Sequence, residues 1–309
     1  MNRKIIINTI LFIILIIIIC YKYKLFYQKI INLFTGNISY TPTVIKNNYI
    51  INLDRRTDRW DEFNLKINKT SFSKEPIERF SAFDGSKYLN EFIRFNIEDH
   101  KLIKKLKEIK LIVPKGIFGC MMSHLLILDK IRNNTNYDEN DYIGIFEEDI
   151  IFSKNFEENY NKFKKIDLNK LDVELLYLGG RFASDYTFNN NSLEMYKPTS
   201  DPNIYYRNNY NPKKEGDWCR CTFSYVVKKA VCSKLIDIII NTFPTPKYRD
   251  LFKPIDHIYT DSYKEIKTFD FFPHLFYSHL NNNSDIQLGN LNNKLEFFYH
   301  IKNTNLIYF

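Results

Sequence analysis

The 309-residue chain has no Gly-x-x-x-x-Gly-Lys-Ser/Thr loop, which excludes a P-loop enzyme. It has no zinc-finger spacing or other nucleic-acid module, and no internal repeat. Cysteine is sparse, five in all: Cys20 lies in an apolar N-terminal stretch, and Cys120, Cys219, Cys221 and Cys232 lie in the body. Cys219 and Cys221 are one residue apart, poor spacing for a mutual disulfide, and no second Cys/His pair stands near them to share a zinc ion. No small-x-small cleavage site follows the apolar N-terminal run, which favours a retained signal anchor over a cleaved signal peptide.

The hydrophobic content is 44%, rich in Phe and Tyr, enough for a large core, so disorder of the whole chain is excluded. The net charge of +8 favours anionic partners in general. Its Lys and Arg are scattered, however, and read as a solvated basic surface, so no nucleic-acid partner is expected. Ile5–Tyr21 is apolar except for Asn8 and Thr9. As a helix it would be about 25 Å long, at the short end for crossing a bilayer. Arg3 and Lys4 before it balance Lys22 and Lys24 after it, so charge gives no strong vote on orientation. Sequons at Asn37, Asn68, Asn133, Asn190 and Asn282 are compatible with a lumenal domain, although a chain this rich in Asn supplies several by chance. The organisation expected is an anchor over 1–21, a stem over 22–48 broken by Gly36 and Pro42, a folded domain over 49–287, and a tail over 288–309.

Within the domain, Tyr49–Leu53 reads as a buried strand running into the polar loop Asp54–Arg59. Thr57 or Asp58 would cap a helix with Trp60, Phe63 and Ile67 on one face. Strand, polar loop and helix open a doubly wound α/β domain. A charged stretch runs on through Lys110. Gly116–Ile131 carries Met121, His124, Leu125, Leu128 and Ile131 at the period of one helix face. Further strands are expected at Tyr142–Phe146, Leu175–Leu178, Thr222–Val227 and Thr268–Phe272. A helix through Ile240 is stopped by Pro244 and Pro246, and another begins at Pro254. Ser184–Asp217 lacks periodicity and reads as a lid or insertion.

Three acids, Glu147, Glu148 and Asp149, follow the strand at Tyr142–Phe146, where open α/β sheets bind ligands. If the chain stays extended, Glu147 and Asp149 point the same way and can hold a divalent cation that clamps a diphosphate. His274 and His279 are candidates to complete that metal site, a packed or surface role being the plainer alternative. At the end of the first strand, Asn52 is a candidate for the same ligand edge, Asp54 for a ribose or base contact, and Arg55 and Arg59 for phosphate, against the alternative of an Arg-rich helix start. Gly179 and Gly180 allow close approach of a sugar or phosphate, or form a plain tight turn. Asp256 either caps a helix or takes a proton from an acceptor hydroxyl.

Several ordered motifs resemble glycosyltransferase family 25, which includes procollagen and lipooligosaccharide galactosyltransferases. Tyr49-Ile-Ile-Asn-Leu-Asp-Arg-Arg-Thr-Asp-Arg-Trp60 resembles its opening motif, and Phe83-Asp84-Gly85 its aromatic-Asp motif. Gly116-Ile-Phe-Gly-Cys-Met-Met-Ser-His124 is similar to its Gly-x-x-Gly-Cys-x-x-Ser-His motif, the most specific of the matches. Phe146-Glu-Glu-Asp149 stands where the family has Glu-Asp-Asp, with Glu148 replacing the middle Asp. Ser224–Ala230, Pro254-Ile-Asp256, Pro273 and Ser284–Ile286 resemble the later blocks. The similarity runs from about Tyr49 to Gln287.

The resemblance implies a GT-A-like, Rossmann-like α/β domain, here behind an N-terminal transmembrane helix. It implies UDP-galactose or a similar UDP-sugar as donor, manganese as the divalent cation, Asp84 among the donor-binding residues, and transfer with inversion. A glycan or protein hydroxyl is the expected acceptor, and a single-pass type II membrane protein with a lumenal domain is the expected setting. Two other readings fit the residues: a catalytically inactive membrane-anchored glycan-binding module, and another metal-dependent nucleotidyl or phosphoryl transferase.

Overall fold

Buried side chains alternate along short apolar runs, and the alternation sorts them onto the two faces of a mixed sheet. Tyr49 and Ile51 pack on one face and Ile50 on the other, and Leu175/Tyr177 against Leu176 and Tyr225/Val227 against Val226 repeat the pattern. The computed structural model describes residues 42–97, 104, 106, 107, 113–179, 196–208, 222–242 and 254–278. All of them belong to the unit Pro42–Phe309.

The strands are β1 (Ile45–Asn52), β2 (Ile77–Ser81), β3 (Tyr142–Glu147), β4 (Ile150–Phe152), β5 (Leu175–Tyr177), β6 (Tyr196–Pro198), β7 (Ile204–Arg207), β8 (Ser224–Lys228), β9 (Thr268–Phe271) and β10 (Phe276–Ser278). The helices are α1 (Thr57–Ile67), α2 (Tyr88–Arg94), α3 (Lys115–Asn133), α4 (Phe156–Phe163), α5 (Cys232–Asn241) and α6 (Ile255–Asp261). Among the described residues the main sheet has eight strands, in the order β2-β1-β3-β8-β5-β9-β7-β6, and β4 pairs separately with β10. Strands β2, β1 and β3 are parallel. Strand β8 is antiparallel to both β3 and β5, so β5 and its parallel neighbour β9 point the same way as β3. The expected α/β class holds, with one reversed strand set into its parallel centre.

Helices α3, α5 and α6 cover one face, where Met121, Met122, Leu125 and Leu128 meet Leu235, Ile239 and Ile258. Helices α1 and α4 cover the other, where Phe63, Ile67, Phe156, Tyr160 and Phe163 pack against Phe146, Phe152 and Phe276. The predicted apolar faces of α1 and α3 are the buried ones, Trp60 being half-buried.

Four expectations need correction. Strand β1 starts at Ile45, four residues before the predicted start, because Asn47 and Asn48 are strand residues whose amides bond to Glu78 Oε2 and the Pro76 carbonyl. Strand β2 lies inside a stretch read only as charged; Phe80 is its one buried side chain, so it carries almost no hydrophobic signal. The N-cap of α1 is Arg56 and makes no side-chain cap bond, so neither Thr57 nor Asp58 caps the helix. Residues 196–208, within the predicted lid, form the edge hairpin β6–β7, held by the buried Arg207–Asp270 pair at 2.6 and 2.7 Å. Ile5–Tyr21 lies outside the described residues. Among those described, no helix is long and apolar enough to cross a membrane.

Candidate active site

From β1 the chain goes out through α1 to β2, then returns through α3 to β3 on the other side of β1. The connections leaving β1 and β3 run in opposite directions along the sheet, to β2 on one side and on toward β5 on the other, and so open a crevice at the carboxyl ends of these strands. This is the switch point at which doubly wound sheets bind ligands. A cleft of about 280 Å3 opens there. Its walls are Ile51, Leu53 and Arg55 at the end of β1, Ala82–Ser86 after β2, Glu147–Asp149 at the end of β3, Arg59 of α1, and the face of α3 that carries Lys115, Cys120 and His124.

The three acids fall where predicted, but not as an extended run. Strand β3 stops at Glu147, and Glu148 and Asp149 form a turn into β4. Backbone bonds from Glu147 N to Phe223 O (2.9 Å) and from Glu148 N to Ile51 O (3.2 Å) pin this turn between β8 and β1. Arg59 Nη1 donates to Glu148 Oε1 at 3.0 Å. Burial pushes the Glu148 carboxyl up, and the Arg59 bond opposes this. Asp149 is raised further, by burial first and then by the charges of Glu147 and Glu148. Its Oδ1 is buried without a hydrogen-bond partner, a costly state that a bound cation would relieve. Glu147 keeps a 22% exposed side chain and accepts a long bond from Thr222 Oγ1 at 3.4 Å. Carboxylates so placed suit a divalent cation.

The basic wall comprises Arg55, Arg59 and Lys115. Arg55 Nε is 3.3 Å from Asp84 Oδ2. Asp84 caps the short turn Gly85–Lys87 by accepting from Ser86 N. Burial raises its carboxyl, but the Ser86 bonds and Arg55 outweigh this and hold it below the usual range. The Asp84 loop lies directly on α3. A Cβ on Gly85 would come within 2.0 Å of the Lys115 carbonyl oxygen, and one on Gly119 within 2.7 Å of Phe83 O. Only glycines allow this approach, which brings Asp84 to the start of a helix whose N-cap, Pro114, supplies no side-chain acceptor.

His124 stands on the predicted apolar face of α3, a position that by itself implies only packing. It is fully buried, its Nδ1 is 2.9 Å from Tyr225 OH, and its Nε2 is 3.5 Å from Glu147 Oε1. Tyr225 OH continues to Tyr259 OH at 3.3 Å. Cys120 lies beside this group, its thiol raised by burial and then by Glu147, Asp256 and Asp149. The available signal was the Cys-x-x-Ser-His motif, which puts Cys120 and His124 one helical turn apart.

Among the described residues, the other predicted site residues lie outside the cleft lining. Asn52 is fully buried; its Oδ1 accepts from Arg79 Nε (2.9 Å) and Nη2 (2.6 Å), and its Nδ2 donates to Arg56 O (3.1 Å), so its amide holds the loop in place. Asp54 is engaged by Ser81 Oγ (2.6 Å), Arg79 (3.0 Å) and Arg94 (3.2 Å) outside the cleft lining. Gly179 is a packing glycine: a Cβ there would meet Ser224 Oγ at 2.3 Å and Phe276 O at 2.6 Å. His274 is fully buried and packs on Phe272, with ring centroids 4.4 Å apart, and it does not line the cleft. Gly180 and His279 lie outside the described residues. Asp256 sits in the first turn of α6, whose N-cap is Pro254. Burial raises its carboxyl, His257 opposes, and the Glu147 charge adds to the rise, so it shares the field of the acid turn without lining the cleft.

Residues 45–259 match the family described as "Glycosyltransferase family 25 (LPS biosynthesis protein)". A protein of Acanthamoeba polyphaga mimivirus named as a glycosyltransferase is 32% identical over 116 residues, 38% of this chain and 32% of the relative. A second protein of that virus, named "Procollagen lysyl hydroxylase and glycosyltransferase", is 30% identical over 166 residues, 50% of this chain and 17% of the relative. The chain thus spans a third or less of the length of these curated relatives.

Proposed function

The chain belongs to glycosyltransferase family 25, and on that premise we propose that its cleft binds a UDP-sugar, UDP-galactose or a close analogue, together with manganese. The sugar passes with inversion to a hydroxyl of a glycan or protein. The observation that carries this reading is Asp149 Oδ1, buried and without a hydrogen-bond partner beside Glu147 at the switch point of the sheet. Glu147 and Asp149 would hold the cation, which supplies charge neutralisation for the diphosphate and for the departing nucleotide. Arg55 and Lys115 line the same cleft, which the start of α3 also borders, and their charges suit phosphate oxygens. Asp256, with its proton affinity raised by burial, suits removal of the acceptor proton.

The test is UDP release by the full-length chain from a panel of UDP-sugars, with and without manganese. Release from UDP-galactose that requires manganese and stops in EDTA is expected. No release across the panel, or release undiminished by EDTA, would sink the reading.

Ile5–Tyr21 is proposed as a type II anchor with the catalytic domain in the lumen. Protease treatment of sealed microsomes checks this, since digestion of the domain without detergent would reverse the orientation.

A further inference from the structure

Cys120 and His124 are four residues apart on α3 and project from one face of the helix, toward Glu147 at the end of β3. One donor atom from each of the three residues lies within 4.8 Å of the other two. His124 Nε2 and Glu147 Oε1 are 3.5 Å apart. That is close to the roughly 3.4 Å separating two nitrogen or oxygen donors across a tetrahedral zinc ion with its usual bond lengths. His124 Nδ1 is engaged by Tyr225, which is held in turn by Tyr259, so the imidazole is oriented from behind. Its Nε2 is left buried without a hydrogen-bond partner and aimed at the carboxylate. A histidine whose other nitrogen is fixed by a neighbouring group is the usual arrangement of a metal ligand.

We propose that Cys120, His124 and Glu147 form a binding site for a borderline-soft divalent cation, zinc foremost, with water from the cleft as the fourth ligand. A thiolate, an imidazole and a carboxylate match zinc, whereas manganese and magnesium favour all-oxygen sets. Three protein ligands and an open position are the pattern of zinc sites that stay accessible to solvent, and Cys120 and Glu147 both line the cleft. Closing the site requires the most distant donors to draw together by about 1 Å, within reach of side-chain rotation. Glu147 is shared with the oxygen site proposed for manganese, so the two cations compete for one carboxylate. The zinc site itself does not depend on the glycosyltransferase reading.

Cobalt(II) titration of the full-length chain, with zinc as competitor, tests this. A tetrahedral site with one thiolate gives intense visible ligand-field bands and a near-ultraviolet thiolate-to-cobalt charge-transfer band, both removed by equimolar zinc. Cys120→Ser should abolish the charge-transfer band, and Glu147→Gln should weaken cobalt affinity by about tenfold or more. No such band in the parent, or a band that survives in Cys120→Ser, overturns the proposal. Should Cys120→Ser not fold, X-ray absorption of the zinc-loaded parent decides. One sulfur with nitrogen and oxygen neighbours upholds the site, and either no sulfur or two overturns it. None of these readouts is turnover, so they stand whether or not the chain transfers a sugar.

Discussion

Arg59 Nη1 donates to Glu148 Oε1 at 3.0 Å, tying the first helix after β1 to the turn after β3. Both groups are mostly buried, with side-chain exposures of 16% and 9%. The middle acid of the triplet is therefore engaged inside the protein, while its neighbours Glu147 and Asp149 bracket the cleft. This gives physical meaning to the one departure from the family's acidic motif: the longer Glu148 side chain reaches an arginine of α1.

The first expectation follows from that division. Glu148→Gln keeps the shape of the side chain and a bond acceptor for Arg59, and should leave manganese affinity within a few-fold of the parent. Isothermal titration with manganese measures it. A loss comparable to that of Asp149→Asn would make Glu148 a ligand and reverse the assignment.

Asp149→Asn should act in opposite directions on activity and stability. If Asp149 holds the cation as proposed, the change should reduce turnover on the order of a hundredfold or more. The same change removes a buried charge whose carboxyl is held well above its ordinary range. A raised folded-state value means that the folded chain binds the proton more tightly, so stability falls as pH rises from about 4 through the raised value. Asn escapes that penalty. At neutral pH without added metal the variant should unfold about 2–4 °C above the parent, and the gap should close toward pH 4. Thermal melts across pH check this, and a variant less stable than the parent at neutral pH would contradict it.

Much of this arrangement was legible in the sequence, and the gaps have physical causes. The strong apolar runs at Tyr49, Tyr142, Leu175 and Tyr225 announced the central strands, and the acids after Phe146 stand at the strand end that borders the cleft. Strand β2 was not legible, because an edge strand needs only one buried side chain, Phe80, to hold its place. Asn52 looked like a ligand group because a polar residue at a strand end usually faces solvent, yet its amide is consumed by Arg79 and Arg56. His274 and His279 stand out in the sequence as imidazoles near the end of the domain, whereas His124 has the pattern of a core residue because its helix face is apolar. Its nearness to Glu147 depends on two segments more than twenty residues apart, which no local period encodes.

Gly85→Ala tests the contact that brings the Asp84 loop to α3. The added methyl would meet backbone, the Lys115 carbonyl oxygen at 2.0 Å and Gly119 N at 3.0 Å, so loop or helix must move. A loss of about 1–3 kcal/mol in stability is expected, with weaker donor binding. Denaturant unfolding and nucleotide titration measure the two effects. Parental values for both would show that the loop shifts freely and that the close approach is dispensable.

Asp256→Asn separates a chemical role from a structural one. The N-cap of α6 is Pro254 and makes no side-chain bond, so Asp256 lies inside the first turn, where Asn costs the helix little. Its carboxyl is raised by burial, with Glu147 adding to the rise and His257 opposing it. A base must be deprotonated to act, so turnover should fall as pH drops through this raised value, starting above the ordinary carboxylate range. If Asp256 takes the acceptor proton, the Asn variant should lose about a hundredfold or more in turnover and keep its UDP-sugar affinity. The acid limb of the pH profile should vanish with it. Turnover number, donor affinity and the pH profile of variant and parent decide the matter together. Near-parental turnover with an unchanged acid limb would return Asp256 to a structural role and pass the candidacy to His257 beside it or to Asp217.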